Sequence, residues 1–328
     1  MSQLRLNPLT GRWVTIVAER AQRPTDFAPR SHQVEADPSR PCPFCPGNED
    51  QSMPATLEAT SDDGSWRMRI VPNLYPAFDG EEPFAVHHHG PVHVEAEASG
   101  LHEVFVLAAE HHVGLKDISD RDAGSMMRLL KERLVQHSDT PNVRYTQAII
   151  NYGREAGASL AHPHGQLLGL PFVPGEILEE QRAFSRFEGG CILCATVETE
   201  LVDGERVVLA NDDVLVVAPY WSGSPYELLI IPRSHDLHLT DSNEATLTAV
   251  GIAIRDSLVA LEEVIGDVAY NLVFHTAPHS YRGAFHWHVH LFPKLVTQAG
   301  FEMGTGVLIN IVPPEQAAAQ LRNVSVRA

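Results

Sequence analysis

Apolar residues fall along the chain in short runs with two spacings. Trp13-Val14-Thr15-Ile16-Val17, Met68 to Pro72 and Tyr145 to Asn151 read as strands, and Val92-His93-Val94-Glu95 alternates apolar with polar. Gly100-Leu101-His102 turns into a strong strand pattern, Glu103-Val104-Phe105-Val106-Leu107. Met126, Met127, Leu129, Leu130 and Leu134 instead recur at helical spacing. They predict a helix from about Asp120 to His137, with Ser119 or Asp120 as its cap. A second helix is predicted from Glu176 to Phe187. Residues 31–65, rich in Pro, Asp and Ser, and residues 77–91 read as loops. His87-His88-His89 falls in the second loop, has no ligand spacing along the chain, and reads as surface.

The pattern then repeats. Glu103 to Asp117 resembles Glu227 to Asp241, an offset of 124 residues (227 − 103). The same offset carries His111 to His235, His162 to His286 and His164 to His288. Each half holds a Cys-x-x-Cys pair, a strand ending in His, a helix, and a strand with His-x-His. One offset held without gaps points to a duplicated α+β unit, with antiparallel sheets and helices packed on them. The division is expected at residues 1–174 and 175–328.

Composition narrows the function. The chain has 328 residues, 44% hydrophobic and 20% charged, which describes a globular protein. It holds no apolar run long enough to cross a bilayer, and Met1 to Thr10 carries no apolar signal core, so a cytoplasmic protein is expected. With 42 acidic and 24 basic residues the net charge is −18. That argues against nucleic acid and anionic membrane surfaces as partners, and leaves room for a small anion held by local donors.

Cysteine usage points to metal. The four cysteines form the pairs Cys42/Cys45 and Cys191/Cys194, each in a loop marked by Pro or Gly and neither between a strand and a helix. In a cytoplasmic protein such pairs are redox couples or halves of metal sites, and this placement favours metal. Cys42, Cys45, His111 and His162 recur in order as Cys191, Cys194, His235 and His286. Two thiolates and two imidazoles make a closed tetrahedral zinc site of structural type. His112 beside His111, and His238 near His235, leave one imidazole of each set open.

The chemistry centres on Gly157-Ala158-Ser159-Leu160-Ala161-His162-Pro163-His164-Gly165-Gln166. In a strand, His162, His164 and Gln166 share a face. The Gly-Ala-Ser turn offers backbone N–H groups and a hydroxyl to a phosphate. A phosphate cradle beside an imidazole suggests phosphorus chemistry, with histidine as nucleophile or base. Gln166 corresponds to His290 and Ser159 to Gly283, so a single kind of active site is expected at His164. Arg20 and Arg23 offer further donors for a phosphate or a base.

These residues resemble the galactose-1-phosphate uridylyltransferase family, a duplicated branch of the histidine-triad superfamily. Asn7 to Trp13, Cys42-Pro43-Phe44-Cys45, Gly100 to Val104 and Phe301-Glu302-Met303-Gly304 extend the resemblance over nearly the whole chain. It implies that His164 attacks the α-phosphorus of a nucleoside-diphosphate sugar and holds the nucleotide as a phosphoramidate until a second sugar phosphate takes it. UDP-glucose and galactose 1-phosphate are the implied substrates. Ser159 would hold a phosphate oxygen beside Gly157. Gln166 stands where related hydrolases place a third histidine, which disfavours hydrolysis. Arg20, Arg23, Asn73 and Asn151 match positions that contact the nucleotide. Phe301 and Glu302 match a segment that reaches the neighbouring subunit's sugar site, implying a homodimer.

Two departures stand out. Leu74 and Gly304-Thr305-Gly306 look closer to a branch that includes ADP-glucose phosphorylase, which makes adenylyl transfer the alternative. Glu180, His275, His288 and His290 also match the family's second metal site, bound by one Glu and three His. The two possible second sites are not expected to be filled together. Zinc on Cys191, Cys194, His235 and His286 is favoured, with iron or no metal as the other possibilities.

Overall fold

The computed structural model describes residues 2–17 and 41–324. The first half runs through β1 (Gln3–Leu6), β2 (Trp13–Ile16), β3 (Leu57–Thr60), β4 (Trp66–Pro72), β5 (Val86–His89), β6 (His93–Ala96), β7 (Leu101–Val106), α1 (Asp120–Ser138), β8 (Tyr145–Tyr152) and β9 (His164–Leu170). The second half opens with α2 (Gly175–Arg186), α3 (Ile192–Asp203), β10 (Val207–Ala210), β11 (Val214–Val217), β12 (Leu228–Pro232) and α4 (Glu244–Ile265). It closes with β13 (Tyr270–His275), β14 (His288–Pro293), α5 (Gly300–Thr305), β15 (Leu308–Asn310) and α6 (Pro314–Arg322).

Ten strands form one antiparallel sheet in the order β10-β11-β12-β14-β13-β8-β9-β7-β4-β3. The order is the same from either end once the halves are matched: β3 with β10, β4 with β11, β7 with β12, β9 with β14 and β8 with β13. The duplication read from the 124-residue offset is therefore a pseudo-twofold about the β8–β13 pair, where Asn151 faces Asn271 and Ile149 faces Val273. A small sheet, β1-β2-β15, pairs β1 with β2 antiparallel and β15 with β2 in parallel.

One face of the large sheet is covered by α1 and α4, each contributed by one half. Met126, Met127, Leu130 and Leu134 of α1 meet Val250, Ile254 and Leu258 of α4 over Phe105, Ile150, Leu167, Ile230 and Leu272 of the sheet. Each such fully buried side chain contributes about 2 kcal/mol. The Ser119 hydroxyl caps α1 by accepting the Asp122 N–H at 3.1 Å, as its position ahead of the apolar stripe predicts. On the opposite face α2 and α3 bury Leu215, Val217, Leu229 and Ile231 of the second half. Those strands are buried on both faces, which explains their unbroken apolar runs. In the first half, Phe44 covers Val104 and Val106 on that face. No helix among the described residues is long and apolar enough to cross a membrane.

Three local expectations are corrected. Residues 31–65 are not all loop: Leu57–Thr60 forms β3 and pairs with β4. Residues 77–91 are not all loop: Val86–His89 pairs with His93–Ala96 as an exposed hairpin. Cys191 and Cys194 are not in a loop: Cys191 is the N-cap of α3 and Cys194 lies in its first turn. Ile192, Leu193 and Val197 bury one side of that helix, and this packing overrides the glycines just before it.

Candidate active site and metal-ligand clusters

The chain leaves β8 at Tyr152 and re-enters the sheet at His164 through a loop pivoting on Gly153 (φ 83°) and Gly157 (φ 88°). Both φ values lie in the left-handed region that favours glycine. The register sets Gln166 opposite Ile149 and Gly165 opposite Ile150. His164 and Gln166 thus share the face away from α1, while Leu167 points into the core. A Cβ at Gly165 would sit 2.8 Å from the Ile149 carbonyl, so only glycine lets β8 approach here.

His164 Nδ1 lies 2.8 Å from the His162 carbonyl. A carbonyl only accepts, so the ring proton is on Nδ1 and Nε2 carries the free lone pair. Burial holds the imidazole below its ordinary pKa, against that hydrogen bond, which keeps it neutral and nucleophilic. A cavity of about 330 Å³ on the α4 side of the sheet is lined by His164, by the loop (Gly153, Ala158, Pro163) and by Leu258 and Glu262 of α4. Asn151 lines it and accepts a hydrogen bond from Asn271 at 2.7 Å. Asn271 also donates to the Ala156 carbonyl at 2.8 Å, tying the central strand pair to the loop. Ser159 is exposed on the same loop.

Gln166 is oriented by His102, a contact that strand periodicity alone gives no means of finding. Ala77 N–H donates to His102 Nδ1 at 2.9 Å, so the ring proton sits on Nε2 and is donated to Gln166 Oε1, also at 2.9 Å. The Gln166 carbonyl is thereby committed and its NH₂ is left to donate. Asn73 packs beside the same ring, 3.2 Å from Nε2, with its own carbonyl held by the Tyr75 N–H. Arg20 and Arg23 lie outside the described residues. Phe301 and Glu302 are on α5 and do not line the His164 cavity.

In three four-residue clusters among the described residues the ligand atoms already lie within 4.8 Å of one another, as a bound metal ion needs. In the first, Cys45 Sγ is 3.3 Å from His111 Nδ1 and 3.6 Å from His162 Nδ1, and Cys42 Sγ is 3.7 Å from His162 Nδ1. A tetrahedral zinc with bonds of about 2.3 Å to sulfur and 2.0 Å to nitrogen separates such ligands by about 3.5 Å, so the donor set fits. The second repeats this: Cys194 is 3.3 Å from His235 and 3.6 Å from His286, and Cys191 is 3.5 Å from His286. His111 and His235, not His112 and His238, fill the open positions. His162 Nε2 donates to the Ala108 carbonyl and His286 Nε2 to that of Pro232, again 124 apart (232 − 108). Those bonds fix the tautomer that aims Nδ1 at the sulfurs. Burial and the neighbouring Cys191 push the Cys194 thiol up to about 12, so paired thiolates here call for a cation.

The third cluster is Glu180, His275, His288 and His290. It shares no residue with the second, so the expectation that the two exclude each other is corrected: both sets are assembled. His286 faces the cysteines, while the β14 zigzag turns His288 and His290 to Glu180. Glu180 Oε1 is 2.8 Å from His275 Nδ1, and Glu180 Oε2 is buried without a partner. His288 Nδ1 donates to the His286 carbonyl, leaving its Nε2 lone pair 3.1 Å from His290 Nε2. An orphaned carboxylate oxygen and converging imidazoles fit a cation. His275, His288 and His290 stand 124 residues after Asn151, His164 and Gln166, so this cluster occupies the second half's counterpart of the His164 site.

Comparison with known proteins gives this arrangement its family. The model of the galactose-1-phosphate uridyl transferase N-terminal domain matches residues 1–174, and that of its C-terminal domain matches residues 177–327. The chain belongs to the galactose-1-phosphate uridyl transferase family. It is 31% identical to an ADP-glucose phosphorylase of Arabidopsis thaliana over 99% of this chain and 93% of the relative. It is 28% identical to the galactose-1-phosphate uridylyltransferase of Thermotoga maritima over 99% of both. A crystal structure of an Arabidopsis thaliana ADP-glucose phosphorylase with bound ADP-glucose matches with a TM-score of 0.83 at 28% identity, covering 99% of this chain and 100% of that one. As a member of this transferase family the protein is an enzyme of nucleotidyl transfer.

Within this uridyl transferase frame, the structure sets His164 and Gln166 on one strand face and gathers each expected Cys₂His₂ set. The sequence reading assigned no role to His102 or Asn271. For His102 a signal was present, since it opens the Gly100 to Val104 motif, but a strand pattern does not show which neighbour a polar side chain meets.

Proposed function

We propose that the protein transfers a nucleotidyl group from a nucleoside-diphosphate sugar to an acceptor phosphate through a covalent intermediate on His164. The observation that carries this reading is the unprotonated Nε2 of His164, on the strand face it shares with an amide, Gln166, whose NH₂ is free to donate. Nε2 attacks the α-phosphorus, the bond to the bridging oxygen breaks, and sugar 1-phosphate leaves with that electron pair. The Nδ1–H bond to the His162 carbonyl stabilises the positive charge on the ring. Gln166 NH₂, Ser159 and the loop N–H groups hold the phosphoryl oxygens. An oxygen of the acceptor phosphate then attacks phosphorus and the N–P bond breaks. The acceptor is already ionised, so no proton transfer is needed, and an amide serves where a hydrolase needs a titratable group.

The family reading takes UDP-glucose as donor and galactose 1-phosphate as acceptor. A second reading, ADP-glucose as donor with phosphate as acceptor, is favoured by the 31% identity to a plant ADP-glucose phosphorylase. Asn73 and Asn151, with Arg20 and Arg23, are assigned to the nucleotide. Phe301, 51% exposed, and Glu302 are assigned to the sugar site of a second subunit in a homodimer. Residues 1–174 and 175–328 form the two histidine-triad-like units, the second having exchanged catalysis for metal binding. Zinc is assigned to each Cys₂His₂ cluster and a further divalent ion to Glu180, His275, His288 and His290. Four cysteines held as metal ligands and not as disulfides suit the cytoplasm.

Initial rates with each donor against each acceptor test the assignment. Turnover of UDP-glucose only with galactose 1-phosphate supports the first reading. Turnover of ADP-glucose with phosphate supports the second. Donor cleavage that needs only water would overturn both.

A further inference from the structure

The β5–β6 hairpin stands apart from every function assigned so far. All eight of its strand residues are exposed, and it pairs with no other strand among the described residues. A two-stranded hairpin without a core is marginally stable in water. Its register sets His87 opposite Glu95 and His89 opposite His93, with Val86 opposite Ala96 and His88 opposite Val94. Residues paired directly across an antiparallel ladder project to the same side, and that side alternates along each strand. His87, His89, His93 and Glu95 therefore share one face. His88 is on the other, with Val86, Val94 and Ala96.

We propose that the face formed by His87, His89, His93 and Glu95 binds a divalent transition-metal ion of the zinc, nickel or copper class. Three imidazoles and one carboxylate are a complete tetrahedral donor set, or a three-ligand set with one position open. Imidazole selects these metals over calcium and magnesium, which take oxygen ligands. Directly opposed Cβ atoms are about 5 Å apart, so the four exposed side chains can be turned onto a common point above the ladder. His89 Nε2 and Glu95 Oε1 already meet diagonally across it at 2.7 Å. The groups are exposed, His89 at 61% and Glu95 at 67%, so they can turn onto an ion without disturbing the core. A chain carrying 18 net negative charges favours a cation at its surface. The ion would bridge β5 and β6 and hold together an arm that has no core of its own.

The test uses the zinc-loaded full-length protein in equilibrium dialysis against Ni²⁺, with nickel and zinc counted separately by mass spectrometry. The wild type is expected to take up one more equivalent of Ni²⁺ than the double variant His89→Ala/His93→Ala. Glu95→Gln should weaken that equivalent, and His88→Ala should leave it intact. Because the hairpin packs on no core, all variants should keep the wild-type melting profile and zinc content. Equal loss from His88→Ala and His89→Ala would reduce the feature to a histidine-rich run without a site. No change in the double variant would also overturn the proposal.

Discussion

His102 Nε2 lies 2.9 Å from Gln166 Oε1, and the Ala77 N–H on the other ring nitrogen decides the direction of that bond. The histidine donates, the glutamine carbonyl accepts, and the Gln166 NH₂ is left to donate, in the proposed mechanism to a phosphoryl oxygen. His102→Leu should leave metal content unchanged and lower kcat about 10- to 100-fold, the effect of misplacing one phosphoryl-oxygen donor. The donor KM should move much less. A kcat within about twofold of wild type would remove the positioning role.

The three metal-ligand clusters are separate, so they should empty separately. Cys45→Ser, Cys194→Ser and His290→Ala should each lose one equivalent of bound metal and leave the other two in place, measured by elemental analysis of purified protein. Each loss of a structural ion should also lower the melting temperature. If His290→Ala lost no metal, the Glu180 cluster would be a hydrogen-bonded network only.

Glu103 and Glu227 occupy the same position in the two repeats, 124 residues apart, and their electrostatics are opposite. Burial pushes the Glu103 carboxyl up, but His137 and Arg133, at 2.9 Å and 2.7 Å, together outweigh it and hold it down at about 2. The folded pKa is depressed, so this pair contributes stability above the unfolded value of about 4.3, and that stability is lost as pH falls toward 2. Glu103→Gln should flatten acid unfolding between about pH 4 and pH 2 while destabilising the protein at pH 7.

Glu227 is buried without a cationic partner among the described residues, and burial pushes it up to about 7 against the Gly223 and Ser224 N–H bonds. Here the folded state holds the proton more tightly. Its contribution is full below about pH 4.3 and is lost as pH rises through 7. Glu227→Gln keeps an acceptor for the two N–H groups and removes the charge. It should stabilise the protein above pH 7, by an amount on the order of 2 kcal/mol, and do little near pH 4. Denaturant midpoints at pH 4 and pH 8 check the sign.

The sequence made the duplication and most of the metal ligands legible, because one offset linked a strand, a helix and a histidine motif. It could not show which way each side chain faces. His286 and His288 are two residues apart and read as one face of a strand. Yet His286 precedes β14 and turns to the cysteines, while His288 turns to Glu180. His87-His88-His89 looked featureless for a related reason: a ligand pattern written across two strands has no spacing along one. His102 was readable as a strand residue, but its bond to Gln166 depends on the β7–β9 pairing, 64 residues away in sequence.

The most direct test of the central claim is the intact mass of the protein after brief mixing with UDP-glucose, and separately with ADP-glucose, in the absence of acceptor. A covalent adduct of UMP or AMP size, absent in His164→Gly and discharged by adding sugar phosphate or phosphate, is the predicted result, and the base it carries identifies the donor. An unmodified mass with both donors at saturation, in a sample shown to bind them, would contradict nucleotidyl transfer through His164.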